Sequence, residues 1–441
     1  MHTDATPAPV PQATQAGEVR RRWAWTEPCV WTDRMLTALE EGVKGGVWFS
    51  LIDKVYAERT LRVAWEHVNA NSGAVGVDHV TVAMYEGDLD RNLAALAIQL
   101  RDGTYRPQPI RRTWIDKPGS REQRPLGIPT VRDRVVQTAL RLVLEPIFER
   151  TFAAQSYGFR PGRGCKDALR RVDALLTAGH TWVVDADLRR YFDTIPHARL
   201  MERVREQVAD GRVLALVEAF LTQHVMDDLT TWLPEEGTPQ GAVISPLLAN
   251  IYLHPLDQHM AAAGYEMVRY ADDFVILCGS EADAQHALSL ITTWVEAAGL
   301  TLHPEKTRIV DATQHGGFDF LGYHFERGRH WPRTKSLAKL KDTLRAKTPR
   351  RRGESLAVII DDVNRSVRGW FEYFKHSRRY TFSPLDAWIR MRLRSILRRR
   401  QHRVGRGRGR DHQRWPNAFF AAQGLFSLTT AHALACQSAQ R

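Results

Sequence analysis

The stretch Met267-Val268-Arg269-Tyr270-Ala271-Asp272-Asp273-Phe274-Val275-Ile276-Leu277-Cys278 sets two adjacent carboxylates between apolar, β-prone flanks. Such a pattern predicts a β-hairpin with the acidic pair at its turn. A second run, Thr181 to Leu188, predicts a buried strand that delivers Asp185 and Asp187 at its end. Alternation along a strand puts Asp185 and Asp187 on one face and leaves the turn to decide where Asp272 and Asp273 point. An Asp-Asp pair in a turn is ordinarily a solvated cap, but apolar flanks on both sides argue for partial burial. Burying unpaired carboxylates costs on the order of several kcal/mol, so a cation is the natural resolution. Oxygen-only ligands suit Mg²⁺. A pair of such ions roughly 3.5 to 4 Å apart can activate an attacking oxygen and stabilise a leaving one at phosphorus. Spacing alone does not choose between Asp185 and Asp187.

Outward from these strands, helices are expected near 82–100, 213–221, 244–256 and 282–298, with short strands and turns over 104–129. Strands interleaved with helices predict an α+β body. Beyond it the period changes. Leu356, Ile359, Ile360, Val363, Val367, Trp370, Phe371 and Phe374 recur at three and four residues, and Leu385, Ile389, Leu393 and Ile396 repeat the pattern. With Leu337, Leu340 and Leu344 they predict three basic helices that bury their apolar faces on one another.

The charge is as uneven as the periodicity. The 441 residues carry a net charge of +12, yet residues 327 to 441 hold 28 basic and 7 acidic residues, and the preceding part is net acidic. A surplus concentrated in this way favours a polyanionic partner, nucleic acid above all. No run of eighteen apolar residues exists to span a bilayer, so no membrane partner is expected. Four scattered cysteines, Cys29, Cys165, Cys278 and Cys436, support neither a disulfide framework nor a zinc site and fit a reducing cytosol. His-Glu-x-x-His, P-loop and Cys-x-x-Cys signatures are absent. Residues 1–22, rich in Ala, Thr, Pro and Gln, have no secretory core and are expected to be a disordered leader.

Taken together the motifs resemble the bacterial group II intron reverse transcriptases and maturases. The residues that carry the resemblance are Tyr270 to Asp273, Asp187-Leu188-Arg189-Arg190-Tyr191-Phe192-Asp193, and Thr238-Pro239-Gln240-Gly241 with Ser245-Pro246. Further matches are Arg124 to Pro129, Ser156 to Gly162, Leu302 to Thr307 and Phe320 to Tyr323, in the family's order, over about residues 50–430. The resemblance implies a right-hand polymerase with fingers and palm, followed by an all-α thumb or maturase bundle called domain X. The implied divisions are an N-terminal extension and fingers over 23–180, a palm over 181–326, the thumb over 327–403 and a basic tail over 404–441. The reverse transcriptase domain as a whole would span about 75–326.

Carried over position by position, the resemblance makes Asp187, Asp272 and Asp273 the catalytic and Mg²⁺-binding carboxylates, with two ions, and leaves Asp185 a supporting role. Lys117 and Arg124 would hold the incoming triphosphate, with Lys306 near it. Phe192, with Tyr191 as the competing candidate, would lie beneath the sugar and exclude a 2′-hydroxyl, and Gln240 would touch the nucleotide and the templating pair. Arg390, Arg394, Arg398, Arg399 and Arg400, with Arg406, Arg408 and Arg410 of a Gly-Arg repeat, are the RNA-binding candidates. The implied partners are group II intron RNA, an RNA template with a DNA primer, deoxynucleoside triphosphates and target DNA. The implied location is the bacterial cytoplasm, at the nucleoid when acting on DNA. Many relatives end in an endonuclease module with paired cysteines, whereas only Cys436 follows Cys278, so that module is expected to be absent and a primer to come from elsewhere. Rival readings are a splicing cofactor whose polymerase body is only scaffold, and a reverse transcriptase recruited to phage defence or another host role. The intact carboxylates weigh against the first, and Gln240-Gly241 with the domain-X resemblance against the second.

Overall fold

The computed structural model describes residues 12–43, 45–116, 123–228, 230–405, 407 and 409–438. In chain order its strands are β1 (Ile110–Asp116), β2 (Gln123–Ile128), β3 (Trp182–Asp187), β4 (Val225–Asp227), β5 (Thr230–Trp232), β6 (Glu266–Tyr270), β7 (Asp273–Cys278), β8 (Arg308–Asp311), β9 (Phe318–Phe320), β10 (Tyr323–Glu326) and β11 (Arg329–Pro332). They form three sheets ordered β2-β1-β4-β5, β6-β7-β3-β8 and β11-β10-β9.

The sheet β6-β7-β3-β8 is antiparallel throughout and carries the acidic residues. It is buried on both faces, which is why its strands read as continuous apolar runs. Val184, Ala186, Phe274 and Ile276 join the main core with Leu248 and Ile251 of the Ser245–Ala262 helix and Ile291 and Val295 of the Glu281–Ala297 helix. Val183, Val275 and Leu277 face the other way, toward Ala168 and Val172 of the Cys165–Thr177 helix and Phe318, Phe320 and Phe325 of the small sheet. The Cys165–Thr177 helix, assigned from the sequence to the fingers, therefore packs on the palm sheet. Val225 to Trp232 depart from expectation in the opposite sense. They lie within the interval read as palm, but β4 pairs in parallel with β1, Ile110 opposite Val225, and completes the fingers sheet. Three-residue strands are too short to show a period.

The C-terminal bundle has its own core. Leu340, Leu344, Ile359, Val363, Phe371, Leu385, Ile389 and Leu393 pack together as their spacing predicts. Trp415, Phe420 and Leu428 join them. Residues 404–441 are thus not simply a basic tail, since the Asn417–Ala422 and Leu428–Ser438 helices lie within the described part of that segment and close the bundle. The sparse apolar residues there bury individually instead of forming a stripe. Residues 12–22 likewise form a helix instead of a disordered leader: Val19 is buried, and Arg20 donates to the Trp31 carbonyl at 2.6 Å and to Asp33 at 2.7 Å. One valine and one arginine with the right partners suffice, which composition cannot reveal.

Phe420→Ala should lower the unfolding free energy of the bundle by about 3–5 kcal/mol, the usual loss for a fully buried aromatic. Urea denaturation followed by tryptophan fluorescence checks it, and an unchanged midpoint would restore the tail reading.

Candidate active site

Tyr270 is paired with Asp273 across β6 and β7, so Ala271 and Asp272 form a two-residue loop. Ala271 has φ of 60°, a left-handed conformation that costs a residue with a side chain on the order of 1–2 kcal/mol. The hairpin keeps this strained turn because a buried network holds it. The Arg269 guanidinium, wholly inaccessible, donates to both oxygens of Asp257 (Nε to Oδ1 2.7 Å, Nη2 to Oδ2 2.5 Å), to Asn250 Oδ1 at 3.0 Å and to the Ala271 carbonyl at 2.9 Å. Asn250 and Asp257 both come from the Ser245–Ala262 helix, and Asn250 Nδ2 donates to the Gly158 carbonyl at 2.7 Å. Gly158 lies directly under the turn, where an added Cβ would fall 2.3 Å from the Ala271 nitrogen. Residues 155–157 run beside β6 through mutual hydrogen bonds with Arg269, and buried Arg160 anchors that loop on Glu149 at 2.7 Å. Sequence reading missed Arg269, Asn250 and Asp257. The signal was an arginine inside an otherwise apolar strand, which demands a buried carboxylate partner.

Asp272 occupies the second position of this loop, one residue before Asp273. Asp272 sits above the usual carboxylate range, chiefly through burial and further through the Asp187 charge, while Arg124 and Lys306 pull it down. Asp187 is directly opposite Asp273 in the β3–β7 register. Burial pushes Asp273 up to about 7, with Asp185, Asp272 and Asp187 adding to the rise and Arg333 opposing it. Asp185, two residues behind Asp187, is raised to about 6, first by burial, and accepts from Arg308 Nε at 3.3 Å. Lys306 reaches the site because the segment after Thr301 is stitched to the end of β3: Arg189 donates to the Thr301 carbonyl at 2.8 Å and His303 to the Asp187 carbonyl at 2.7 Å. Its ammonium rests on Asp187 Oδ2.

Among the described residues no group of three or more His, Cys, Asp and Glu side chains is arranged to hold a metal ion. The three carboxylates expected from the sequence lie at neighbouring positions, Asp187 directly opposite Asp273 and Asp272 in the adjoining turn. Asp273, at the start of β7, feels Asp185 first among the charged side chains around it, and Lys306 engages Asp187. Asp187 and Asp272 nevertheless fit Mg²⁺, which is commonly held by one or two carboxylates with substrate phosphates and water. The lysine on Asp187 marks that carboxylate as already drawing a cation.

A cavity of about 260 Å³ lies beside Arg190 and Asp193, lined by Phe192, Gln240, Gly127 and Pro125 among others. Backbone bonds tie its walls together: Thr238 donates to the Phe192 carbonyl and Gly127 to the Gln240 carbonyl, both at 2.6 Å. Phe192 is half-buried and lines this space, whereas Tyr191 is buried with its hydroxyl on the Ala249 carbonyl. Arg124 is exposed on β2 and acts on both Asp272 and Asp193. Lys117, Arg406 and Arg408 lie outside the described residues.

The arginine candidates divide. Arg394 is 2% exposed and donates to the Trp415 carbonyl and Asn417 Oδ1, both at 2.9 Å, so it is a packing residue and not an RNA-facing one. Gly407 packs against it, an added Cβ falling 2.6 Å from the Arg394 Cβ, so at this glycine the Gly-Arg repeat is docked on the bundle instead of free to follow an RNA. Arg398 is taken up by Asp411 at 2.7 Å. Arg400 caps the Arg352 and Glu354 carbonyls while remaining exposed, Arg390 is half-buried, and Arg399 and Arg410 are exposed.

Residues 115–325 match the family described as reverse transcriptase (RNA-dependent DNA polymerase), and residues 337–415 match the group II intron maturase-specific domain. Protein YkfC of Escherichia coli is 33% identical over 348 residues, covering 70% of this chain and 86% of that protein. Group II intron-encoded protein LtrA of Lactococcus lactis is 38% identical over 196 residues, covering 44% of this chain and 32% of LtrA. The putative COX1/OXI3 intron 1 protein of Saccharomyces cerevisiae is 26% identical over 397 residues, covering 76% of this chain and 47% of that protein. The match thus spans about a third of LtrA and about half of the yeast protein.

Gly158→Ala should push the acidic turn off its support while sparing the core. Hydrogen exchange of the 267–278 peptide should quicken by about tenfold with little change in thermal midpoint. Unchanged exchange would show that the turn does not depend on Gly158.

Proposed function

The chain belongs to the group II intron reverse transcriptases, and from that premise we propose that it copies RNA into DNA from a primer 3′-hydroxyl and binds its parent intron RNA to assist splicing and retrohoming. The observation that carries the catalytic half is the register of a fully packed sheet, which sets Asp187 opposite Asp273 next to the turn bearing Asp272, with Phe192 and Gln240 lining a cavity beyond the end of β3. In this reading Asp187 and Asp272 hold two Mg²⁺ ions. Bound there, the ions supply positive charge to the attacking and leaving oxygens. Asp273, opposite Asp187 in the register, completes the carboxylate set, with Asp185 in support.

The chain's own residues do the positioning. Arg124 offers a planar fork and Lys306 a point charge to the triphosphate of a deoxynucleotide. With a metal held on Asp187, the Lys306 ammonium that now rests there would be free for the phosphates. Phe192 forms the floor beneath the sugar and leaves no room for a 2′-hydroxyl. Gln240, fixed by the Gly127 bond, contacts the nucleotide and templating base. Lys117 belongs to the same group by resemblance. RNA binding falls to Arg390, Arg399, Arg400 and Arg410, with Arg406 and Arg408 by resemblance. Template and primer, intron RNA and target DNA are all polyanions matched to the basic C-terminal third. Among the described residues no helix is long and apolar enough to cross a membrane. We place the protein in the bacterial cytoplasm and at the nucleoid when it acts on DNA.

Primer extension on an RNA template with Mg²⁺ tests this directly. Asp187→Asn and Asp272→Asn should each cost on the order of a thousandfold in rate, the scale of losing electrostatic stabilisation at a reacting centre. Asp185→Asn should stay within about tenfold. Equal incorporation by the parent and Asp272→Asn would end the assignment. Splicing of the candidate intron at moderate salt, with and without protein, tests the maturase half, and no stimulation at any salt would remove it. Phe192→Val should relax discrimination against ribonucleotides on the order of tenfold, read as the ratio of kcat/KM values.

A further inference from the structure

We propose that a second cavity, of about 280 Å³ between the Cys165–Thr177 helix, β10–β11 and the end of the Leu356–Phe374 helix, holds one unpaired nucleotide. None of its lining residues belongs to the carboxylate site or to the nucleotide cavity beside it. One wall is a single stripe of the Cys165–Thr177 helix, Lys166, Leu169, Arg170 and Asp173, at the spacing that puts side chains on one face. The facing wall is aromatic. Tyr373 is half-buried with its ring 5.9 Å from Tyr323, and the His330 ring lies 5.6 Å from Tyr323 and 5.5 Å from Phe325. An aromatic wall facing cations is the combination that receives a base by stacking and its phosphate by charge.

The charges within the cavity are only partly satisfied. Asp173 is engaged by His330 at 3.4 Å, and Arg170 by Asp167 at 2.8 Å. Lys166 lines the cavity and acts on Glu372 through its charge, with no hydrogen bond or ion pair of its own among the described residues. Exposed His376 has Lys375, His330, Lys166 and Arg170 around it, of which Lys375 pairs with Glu372 at 3.0 Å, His330 with Asp173 and Arg170 with Asp167, so Lys166 is the cation left for a phosphate. At the rim Arg378 lies 3.8 Å over the Trp331 ring and donates its backbone N–H to the His330 carbonyl at 3.1 Å. The space is far too small for a duplex, so the ligand is a nucleotide out of its pair. A strand of RNA crossing the back of the palm toward the basic bundle would supply it. A free nucleoside monophosphate shares the chemistry. The choice of an RNA strand rests on the RNA-binding half of the proposed function and not on its polymerase half.

The test uses the full chain and a single-stranded oligoribonucleotide carrying one 4-thiouridine. Photocrosslinks mapped by mass spectrometry should fall in 166–173 or 373–376. They should drop on the order of tenfold in Lys166→Glu and in the pocket-filling Leu169→Trp. The same strand annealed to its complement should crosslink there weakly. Competition by millimolar cytidine monophosphate would identify a free nucleotide as the occupant, and indifference to it an RNA strand; both support a nucleotide site. Both variants should retain primer-extension rates within twofold of the parent, so a failing polymerase reading shows itself in the parent and leaves the crosslinking result intact. Crosslinks at this cavity that persist undiminished in both variants, that appear equally from the duplex, or that never occur would overturn the proposal.

Discussion

The buried guanidinium of Arg269 is the constraint on which the acidic site depends. A charge with no access to solvent is tolerated only where carboxylate and carbonyl oxygens surround it, and breaking such a set from one side costs more than the pair contributes. Here the set consists of Asp257, Asn250 and the Ala271 carbonyl. The third partner matters most for chemistry. By binding the carbonyl of the strained residue, the network converts a requirement of the core into a fixed orientation for Asp272. Asn250 extends the same network to Gly158, so the loop after the Val131–Glu149 helix, the long helix behind the palm and the hairpin turn are positioned together. A rigid support of this kind suits a site whose reacting groups tolerate displacements of well under an ångström.

Electrostatics then work against the fold. Asp187, Asp272, Asp273 and Asp185 sit along one end of two paired strands, and burial disfavours the charged forms of Asp185, Asp272 and Asp273. The fold binds protons more tightly at these groups than an unfolded chain does, so their ionisation subtracts stability as pH rises from the ordinary carboxylate range toward about 7. Lys306 and Arg308 return part of that energy by contact with Asp187 and Asp185. A divalent cation would return more, which couples cation binding to local stability.

How much of this the sequence discloses depends on the range of the interaction involved. The hairpin, β3 and the bundle helices are legible because their apolar periods run over several turns or strand pairs. The pairing that sets Asp187 opposite Asp273, next to the turn bearing Asp272, is legible only through resemblance, because nothing local in either segment encodes that register. Short pieces fail: β4 and β5 give three residues each, and their return to β1 is decided by the burial of Ile110 and by backbone pairing. Side-chain pairing fails in the same way. Arg394, Arg398 and Arg399 are neighbours of one type, yet one is buried on carbonyls, one is paired with Asp411 and one is exposed. A count of charges fixes the sign of a surface and not which guanidinium supplies it.

That division bears on the basic bundle. If every arginine of the Phe382–Arg400 helix faced solvent, mutual repulsion would weigh against the helix, whose last turn holds Arg398, Arg399 and Arg400. Instead Arg392 caps the Thr348 carbonyl at 2.6 Å, Arg394 and Arg398 tie in the segment after Gln401, and Arg400 holds the Arg352 and Glu354 carbonyls. Orphan backbone oxygens at the ends of neighbouring elements thus absorb much of the positive charge. Arg394 and Arg398 hold the C-terminal segment alongside the buried Trp415, Phe420 and Leu428, and the exposed guanidiniums, Arg399 and Arg400 among them, are left to face a polyanion. The same helix therefore assembles the bundle with one set of arginines and presents a charged surface with another.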